Sequence, residues 1–500
     1  MVDDALFVAI DVGTTGARAS AIDLAGQLRF EVRRAYSTSI PRPGWAEQNP
    51  NDWSQAALAA LEALAATPAL DAKTIHAIGL TGQCPTIAPF DKARRPVGPG
   101  LLYRDNRATA QAAAMRRLWG DQAMHERTGH VASAFHVGPK VLWIREHEPA
   151  VFADTDCFMQ PRDVVLHALT GVTTTDETHA NSTLFFDLRA RSWANDLLES
   201  FSLDSALFPR VAAPWDQVAP ISSQVAERTG LPAGCPVVIG AADSQCAAFG
   251  SGVTAPGPMS EMAGASSCLN SVIIEPSADS RITHYSYLVP DCYCTELGVN
   301  VTGGALTWAL ARLRLDGFDA LEVSARKTLS AFSGGDIGDP RLVAPLFLPY
   351  LGDGERDDPA LRGAFIGLSD RHGDEELAYA LLEGLAFAVT ETVSVLTAAG
   401  SPLDELRVAG GGARLAALGQ IKAAALGRPV RHLPHDSAPA GAALLAASQT
   451  GYAAEASSAL RANLKHAVSF EADVPSAEAI RERFRWFMNV RGSAAVRLQT

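Results

Sequence analysis

Residues 7–19 read FVAIDVGTTGARA. The stretch before Asp11 is almost continuously apolar, the pattern of a strand covered on both faces rather than one alternating between core and water. A carboxylate closes that strand, a turn of glycines and threonines follows, and a second strand runs back. About 250 residues later PMSEMAGASSCLNSVIIEP repeats this layout, with GASSC in the place of GTTGA. Two such hairpins in one chain predict two related domains, with a boundary near residue 250.

The rest of the pattern is α/β. LFVAIDVG, ARASAIDL and LRFEVRRA open the chain as a three-strand meander, the last two joined by the tight turn DLAGQ. NPNDWSQAALAALEALAATP carries apolar residues at helical spacing, with Asn51 or Asp52 placed to cap it and Pro68 to close it. IHAIGLTG is a further strand running into a loop, and CPVVIGAADSQCAAFG reads as strand, small-residue turn and helix start. In the second half NVTGGALTWALARL opens a helix on glycine. DEELAYALLEGLAFAVTETVSVLTAAG is a long, mostly apolar helix, and LRVAGGGARLAALGQIKAAALGRPV reads as strand, triple glycine, helix and strand. SAEAIRERFRWFMNVRG forms a terminal amphipathic helix.

The chain has 500 residues, 47% of them apolar, enough for a sizeable core in two or three domains. A net charge of −13, with the acids spread along the chain, argues against nucleic acid or an anionic membrane as partner. A small anionic ligand would then need positive sites built locally from backbone N–H groups or a metal. Seven cysteines at irregular spacing, without a CxxC, read as reduced thiols of a cytoplasmic protein. The N-terminal MVDDALFVAI carries acids where an export signal carries basic residues, and no run reaches the ~18 uninterrupted apolar residues of a membrane helix.

Several small motifs carry candidate chemistry. The GTTGAR turn offers successive N–H groups as an anion-binding concavity, with the hydroxyls of Thr14 and Thr15 and the charge of Arg18 beside it. Asp11 at the strand end is placed to hold Mg²⁺ next to phosphates. Gly264, Ala265, Ser266 and Ser267 form the corresponding turn of the second hairpin, without an acid. NVTGGALT and RVAGGGARLA both place glycines at an expected helix N-terminus, where unpaired N–H groups and a partial positive charge favour anions; close helix–strand packing is the plainer explanation. Asp243 follows a buried strand, where the common role of an acid is to cap a helix; a carboxylate there could also take a proton from a hydroxyl attacking a γ-phosphate. Asp105, in LLYRDNRA, and the LTGQCPT loop could both reach a polar ligand.

Taken together, AIDVGTTGARA, PGWAEQNPNDW, IGLTGQ, RDNRA, TGHVASAFHVGPKVLWI, LPAGCPVVIGAADSQCAAFGSG, PLFLPYLGDGERDDPALRGAFIGL, ELAYALLEGLAFAV and VAGGGARL resemble, in order and spacing, the FGGY carbohydrate kinases, with the xylulose kinases as the nearest branch. The resemblance runs from the first strand to about residue 450. It implies an α/β fold of two ribonuclease H-like domains of the actin and hexokinase type with a cleft between them: 1–250 for sugar and the first phosphate loop, 251–450 for nucleotide, and 451–500 as a helical tail. It implies ATP and Mg²⁺ as cofactors, a small sugar or polyol as substrate and a homodimer in the cytoplasm. Asp243 becomes the catalytic base and Asp11 the metal and phosphate-region acid. Gly13, Thr14, Thr15 and Arg18 form the first phosphate loop; Gly264, Ala265 and Ser266 the second. Gly303, Gly304, Gly411, Gly412 and Leu415 fall where the family binds nucleotide. Gln83, Cys84, Asp105 and Asp243 fall at the sugar. There the chain has TGQCPT where xylulose kinases tend to show SGQMHG, and YRDNR in place of WNDGR. The expected reaction is transfer of the ATP γ-phosphoryl group to a ketopentose such as xylulose or ribulose. A polyol such as erythritol, ribitol or glycerol is the alternative acceptor. An ATP-driven conformational or sugar-binding regulatory protein is the alternative of another class.

Overall fold

Two sheets of the same design organise the chain. In the first, the strands run in the order Gln217–Pro220, Pro236–Ala242, Ile75–Gly82, Leu6–Val12, Gly16–Asp23 and Leu28–Ala35. In the second, which has seven strands, six follow the corresponding order Val468–Phe470, Val430–His432, Leu403–Gly410, Gly257–Ala263, Ser267–Ile273 and Tyr293–Val299. In each, the leading hairpin is antiparallel, its first strand is parallel to the next two, and the outermost strand reverses again. The duplication expected from the two hairpins is thus a duplication of whole sheets. The computed structural model describes residues 5–332, 338–352, 355, 358 and 360–493. Residues 353, 354, 356, 357 and 359 of the LGDGERDDP segment, and the first four residues of the chain, lie outside it.

The chain divides into two compact units. One takes the residues up to Thr254, Ile273–Cys294 and Ser437–Asn463; the other takes Ala255–Val272, Thr295–Asp436 and the residues from Leu464 onward. The second half of the sequence therefore returns helix Ser437–Gln449 to the first unit, where it packs on the strands Leu6–Val12 and Ile75–Gly82 and on helix Asp243–Gly250. The fit is made by small residues. A Cβ on Gly441 would stand 2.0 Å from the carbonyl oxygen of Cys246, and one on Gly250 would stand 2.0 Å from that of Ser437. Only glycine allows backbones this close.

The first unit's core joins Val8, Ile10 and Val12 to Trp53, Leu61 and Leu64 of helix Pro50–Ala65. That helix starts two or three residues earlier than its sequence suggests. Asn49 is the cap, its side chain accepting the Asn51 N–H at 3.2 Å, because Pro50 has no N–H to lose at the first helical position.

The second unit is built around helix Asp374–Ala398. Among the described residues it alone is long and apolar enough to cross a bilayer, but 78% of its apolar stretch is buried inside the protein. Glu383 near its middle is fully buried and paired with Arg483 of helix Ala477–Arg491, Nη2 to Oε2 2.6 Å. Three carbonyls, of Pro340, Ala344 and Pro345, accept the other guanidinium donors. This is the environment of a core helix. None of the seven cysteines forms a disulfide.

Candidate active site

Three parallel strands of the first unit end in register. Val12 pairs with Gly82, and Gly82 pairs with Ala242. Strands lie about 4.8 Å apart, so the residues that follow, Gly13, Gln83 and Asp243, begin within roughly 10 Å of one another along one sheet end. The carboxyl ends of parallel strands are where open α/β sheets bind ligands.

The Gly13–Gly16 turn is held from behind. Its carbonyls face the protein: Gly13 O accepts Tyr36 Oη and Gln83 Nε2, Thr14 O accepts Gln48 Nε2 at 2.7 Å, and Thr15 O accepts the Tyr36 N–H at 3.2 Å. In a planar trans peptide the C=O of one residue and the N–H of the next point opposite ways. With the Gly13 and Thr14 carbonyls turned inward, the N–H groups of Thr14 and Thr15 face outward, on a turn whose tip, Thr15, is exposed. Such a pair of N–H groups is an anion cradle. Asp11 sits just before it, opposite Arg18 in the hairpin register, with Arg18 Nε 2.7 Å from Asp11 Oδ2. No three histidines, cysteines or acids among the described residues come together as a metal cage. Asp11 is the residue that would hold a Mg²⁺ here, a metal that commonly binds through one or two carboxylates beside phosphates.

Asp243 is the first residue of helix Asp243–Gly250, and Ala242 is the cap. Its carboxylate Oδ1 accepts the Ser244 N–H at 2.8 Å and the residue is part-exposed. Behind it the Ala242 N–H donates to Thr178 Oγ1 at 2.9 Å, and Thr178 donates to Asp176 at 2.5 Å. Asp176 is buried, and burial alone would push its carboxyl up. His179 and Arg162, whose Nη2 lies 2.9 Å away, bring it down instead to about 2. An ionised, fully paired Asp176 thus anchors the strand end from which Asp243 projects.

At the expected sugar residues the picture is mixed. Gln83 is buried, with its amide directed to Gly13 and Gln48, while Cys84 is half-buried; a cis peptide joins it to Pro85. Asp105, expected at the substrate, is fully buried. It accepts the N–H groups of Ala46 and Arg107 and two guanidinium bonds from Arg107, which fill the four acceptor positions of a carboxylate. Arg107 also pairs with Glu47 at 2.7 Å and stacks 3.6 Å from the Trp45 ring centre. Asp105 thereby fixes a loop. The fully buried Lys140 lies behind it, donating to Phe135 O at 2.5 Å; burial pushes its pKa down to about 7, against the opposing pull of Asp105 and Cys84.

In the second unit Ala263 pairs with Gly410, so the turns at Gly264 and Gly411 emerge side by side. Gly264, Ala265 and Ser266 are exposed. The glycines that open helix Gly303–Leu313 do not present their N–H groups to solvent as the sequence suggests: Gly303 N donates to Gly264 O at 3.2 Å and Gly304 N to Ala265 O at 3.1 Å. A Cβ on Gly303 would stand 2.3 Å from Gly264 O, so glycine there permits two turns to interlock. Gly411 and Gly412 lie in a single 3-10 turn rather than at a helix start; the next helix, Ala416–Leu426, begins after Leu415, whose side chain is buried in the unit's core. That helix's Ala417 N–H donates to Glu322 at 2.9 Å, so its N-terminus already holds an anion. Beneath the turns Lys422 Nζ meets Glu261 Oε2 at 2.6 Å, Ser267 Oγ donates to Glu261 at 2.8 Å, and the space left among them is about 20 Å³, room for a water molecule.

Two family models match the chain, the N-terminal domain of the FGGY family of carbohydrate kinases over residues 6–250 and the C-terminal domain of that family over residues 259–450. The chain belongs to the FGGY carbohydrate kinases. It is 28% identical to the xylulose kinase of Bacillus subtilis (strain 168) over 490 residues, 97% of this chain and 96% of that protein. It is 30% identical to the glycerol kinase of Bordetella parapertussis, covering 90% of each. The solved xylulose kinase of Rhodospirillum rubrum matches with a TM-score of 0.86 at 28% identity, over 97% of this chain and 98% of that one. As an FGGY kinase the protein is an ATP-using phosphotransferase with an alcohol acceptor, and its two α/β domains are of the actin and hexokinase type.

Several residues around the candidate positions escaped the sequence reading: Tyr36, Gln48, Lys140, Thr178, Glu261 and Lys422. Gln48 and Lys140 lie inside the motifs PGWAEQNPNDW and HVGPKVLWI, so their neighbourhood was visible. Some of their partners are distant in sequence, 34 positions from Gln48 to Thr14 and 161 from Glu261 to Lys422, and no local pattern marks such pairs.

Proposed function

We propose that the protein transfers the γ-phosphoryl group of ATP to a hydroxyl of a ketopentose such as xylulose or ribulose. The register of Val12, Gly82 and Ala242 is the observation that carries this reading, because it sets an anion cradle, the Gln83–Thr86 loop and an acid side by side. Asp243 takes the proton from the attacking hydroxyl. The outward N–H groups of Thr14 and Thr15, with Arg18 nearby, receive phosphate oxygens. Mg²⁺ at Asp11 supplies charge neutralisation for the transferring group when bound. Cys84 faces the acceptor, while Gln83 and Asp105, both buried, act on it through the loops they fix. The exposed Gly264–Ser266 turn and the Gly411–Gly412 turn take the nucleotide, braced by Gly303 and Gly304. Phosphoryl transfer leaves little covalent work to the protein, so positioning and charge account for most of the rate.

The similarity to xylulose kinases supports a xylulose-like acceptor, and the 30% identity to a glycerol kinase favours a polyol such as glycerol, ribitol or erythritol as second reading. A coupled ADP-release assay over pentuloses, hexuloses, tetritols, pentitols and glycerol decides. We expect a pentulose to give the highest kcat/KM; a polyol at the top replaces the first reading with the second, and ADP release indifferent to every sugar and polyol overturns both. A homodimer is part of the reading, and sedimentation of the purified protein tests it.

A further inference from the structure

The Gln48 side chain is 3% exposed and uses its whole hydrogen-bonding capacity. Nε2 donates to Thr14 O at 2.7 Å and to Thr38 Oγ1 at 2.9 Å; Oε1 accepts from Trp53 Nε1 at 2.8 Å and from Gln83 Nε2 at 3.1 Å. Two donors and two acceptors are all an amide has. Its orientation is fixed as well: turned over, the amide would set its NH₂ against the donating indole and its oxygen against the Thr14 carbonyl. One buried group therefore touches both the turn that carries the outward N–H groups and the side chain that starts the acceptor loop. Its neighbours brace the third loop, since the Ala46 N–H and the Glu47 carboxylate hold Asp105 and Arg107.

We infer that Gln48 is a positioning residue that locks the phosphate turn and the acceptor loop into one geometry, so that the two ligands are held in register for transfer. The inference rests on the proposed kinase site and deepens it. Gln48 touches neither ligand; it acts through the peptide between Thr14 and Thr15, whose carbonyl it holds inward and whose N–H it thereby keeps outward, and through Gln83.

Replacement by glutamate separates this role from simple packing. Gln48→Glu keeps the shape and the acceptors for Trp53 and Gln83, but puts an oxygen against the Thr14 carbonyl. Gln48→Met keeps the volume and gives up all four bonds, and serves where the buried acid disturbs folding. Leu61→Ala, in the core of the same helix, is the control for lost stability alone. The measurements are Mg·β,γ-imido-ATP affinity by titration calorimetry, kcat/KM for ATP and for the best acceptor, and melting temperature. We expect Gln48→Glu or Gln48→Met to weaken the nucleotide analogue at least tenfold and to lower kcat/KM for both substrates tenfold or more, while Leu61→Ala with an equal fall in melting temperature changes each less than threefold. Unchanged analogue affinity in both Gln48 variants, or losses no larger than those of Leu61→Ala at matched melting temperature, overturns the inference. A wild-type protein that fails to bind the analogue at all overturns instead the kinase-site reading beneath it.

Discussion

Arg18 closes on Asp11 across the first hairpin, Nε to Oδ2 2.7 Å, from the position directly opposite in the strand register. The pair holds a carboxylate at a strand end, beside two outward N–H groups, with its charge partly balanced before any ligand arrives. Asp11→Ala removes the acid assigned to Mg²⁺ and leaves Arg18 without its 2.7 Å partner. Activity is expected to vanish, with Mg·ATP affinity falling far more than acceptor affinity. Calorimetric titration with each ligand checks this; normal Mg·ATP affinity, or a loss confined to the acceptor, contradicts the assignment.

Gly441 sets the height of the helix that begins with Asp243. Gly441→Val drives a side chain into the Cys246 carbonyl, which a Cβ alone would approach to 2.0 Å. Overpacking of this kind costs about 1–3 kcal/mol, and misplacement of a catalytic group by about 1 Å can cost on the order of 10²-fold in rate. Melting temperature and kcat should fall together. A lowered melting temperature with kcat within twofold of wild type would show that helix height does not reach Asp243.

The long apolar helix of the second unit is tied by its one buried acid. Glu383→Gln leaves Arg483, also fully buried, without its counter-charge. Breaking one partner of a buried ion pair costs about 3–5 kcal/mol. Urea unfolding should show a loss of that size, with nucleotide affinity at low denaturant nearly kept. A loss below about 1 kcal/mol would mean that the pair contributes little beyond packing.

Lys140 gives stability a pH dependence. Burial holds its folded pKa at about 7, below the ordinary lysine value of 10.5 that the unfolded chain keeps, although Asp105 and Cys84 pull the other way and Arg107 adds to the depression. Between those values the unfolded chain binds more protons than the folded one, so this group makes stability rise with pH through that window, and adds no slope below about 7. Lys140→Met should flatten that rise. Melting temperatures of wild type and variant from pH 6 to 10 test it; parallel curves would place the Lys140 pKa near its ordinary value.

What the sequence made legible was whatever repeats or punctuates locally. The two hairpins, the apolar strand that Asp11 closes and the small-residue turns are periodic and close in sequence, and they predicted two α/β domains that appear as two sheets of one design. Helix Ser437–Gln449 reads as an ordinary apolar helix of the second half, and only packing against Gly79 and Gly250 assigns it to the first unit. Gly303 and Gly304 read as a helix start with free N–H groups, but these N–H groups close on Gly264 and Ala265, because an N–H says nothing of its partner until the chain is folded. Asp105 was visible as a polar residue in a polar loop, while the four bonds that occupy it come partly from Ala46, a residue with no chemical signature.

The central claim is that Asp243 is the base of a sugar kinase, and Asp243→Asn tests it most directly. Asparagine matches the shape and can still accept the Ser244 N–H, but it cannot take a proton from a hydroxyl. General-base catalysis contributes about 10²–10⁴-fold. With the best acceptor at saturation, kcat should fall by at least about 10²-fold, while acceptor affinity, Mg·ATP affinity and melting temperature stay close to wild type. A variant that keeps more than a tenth of the wild-type kcat would contradict the account.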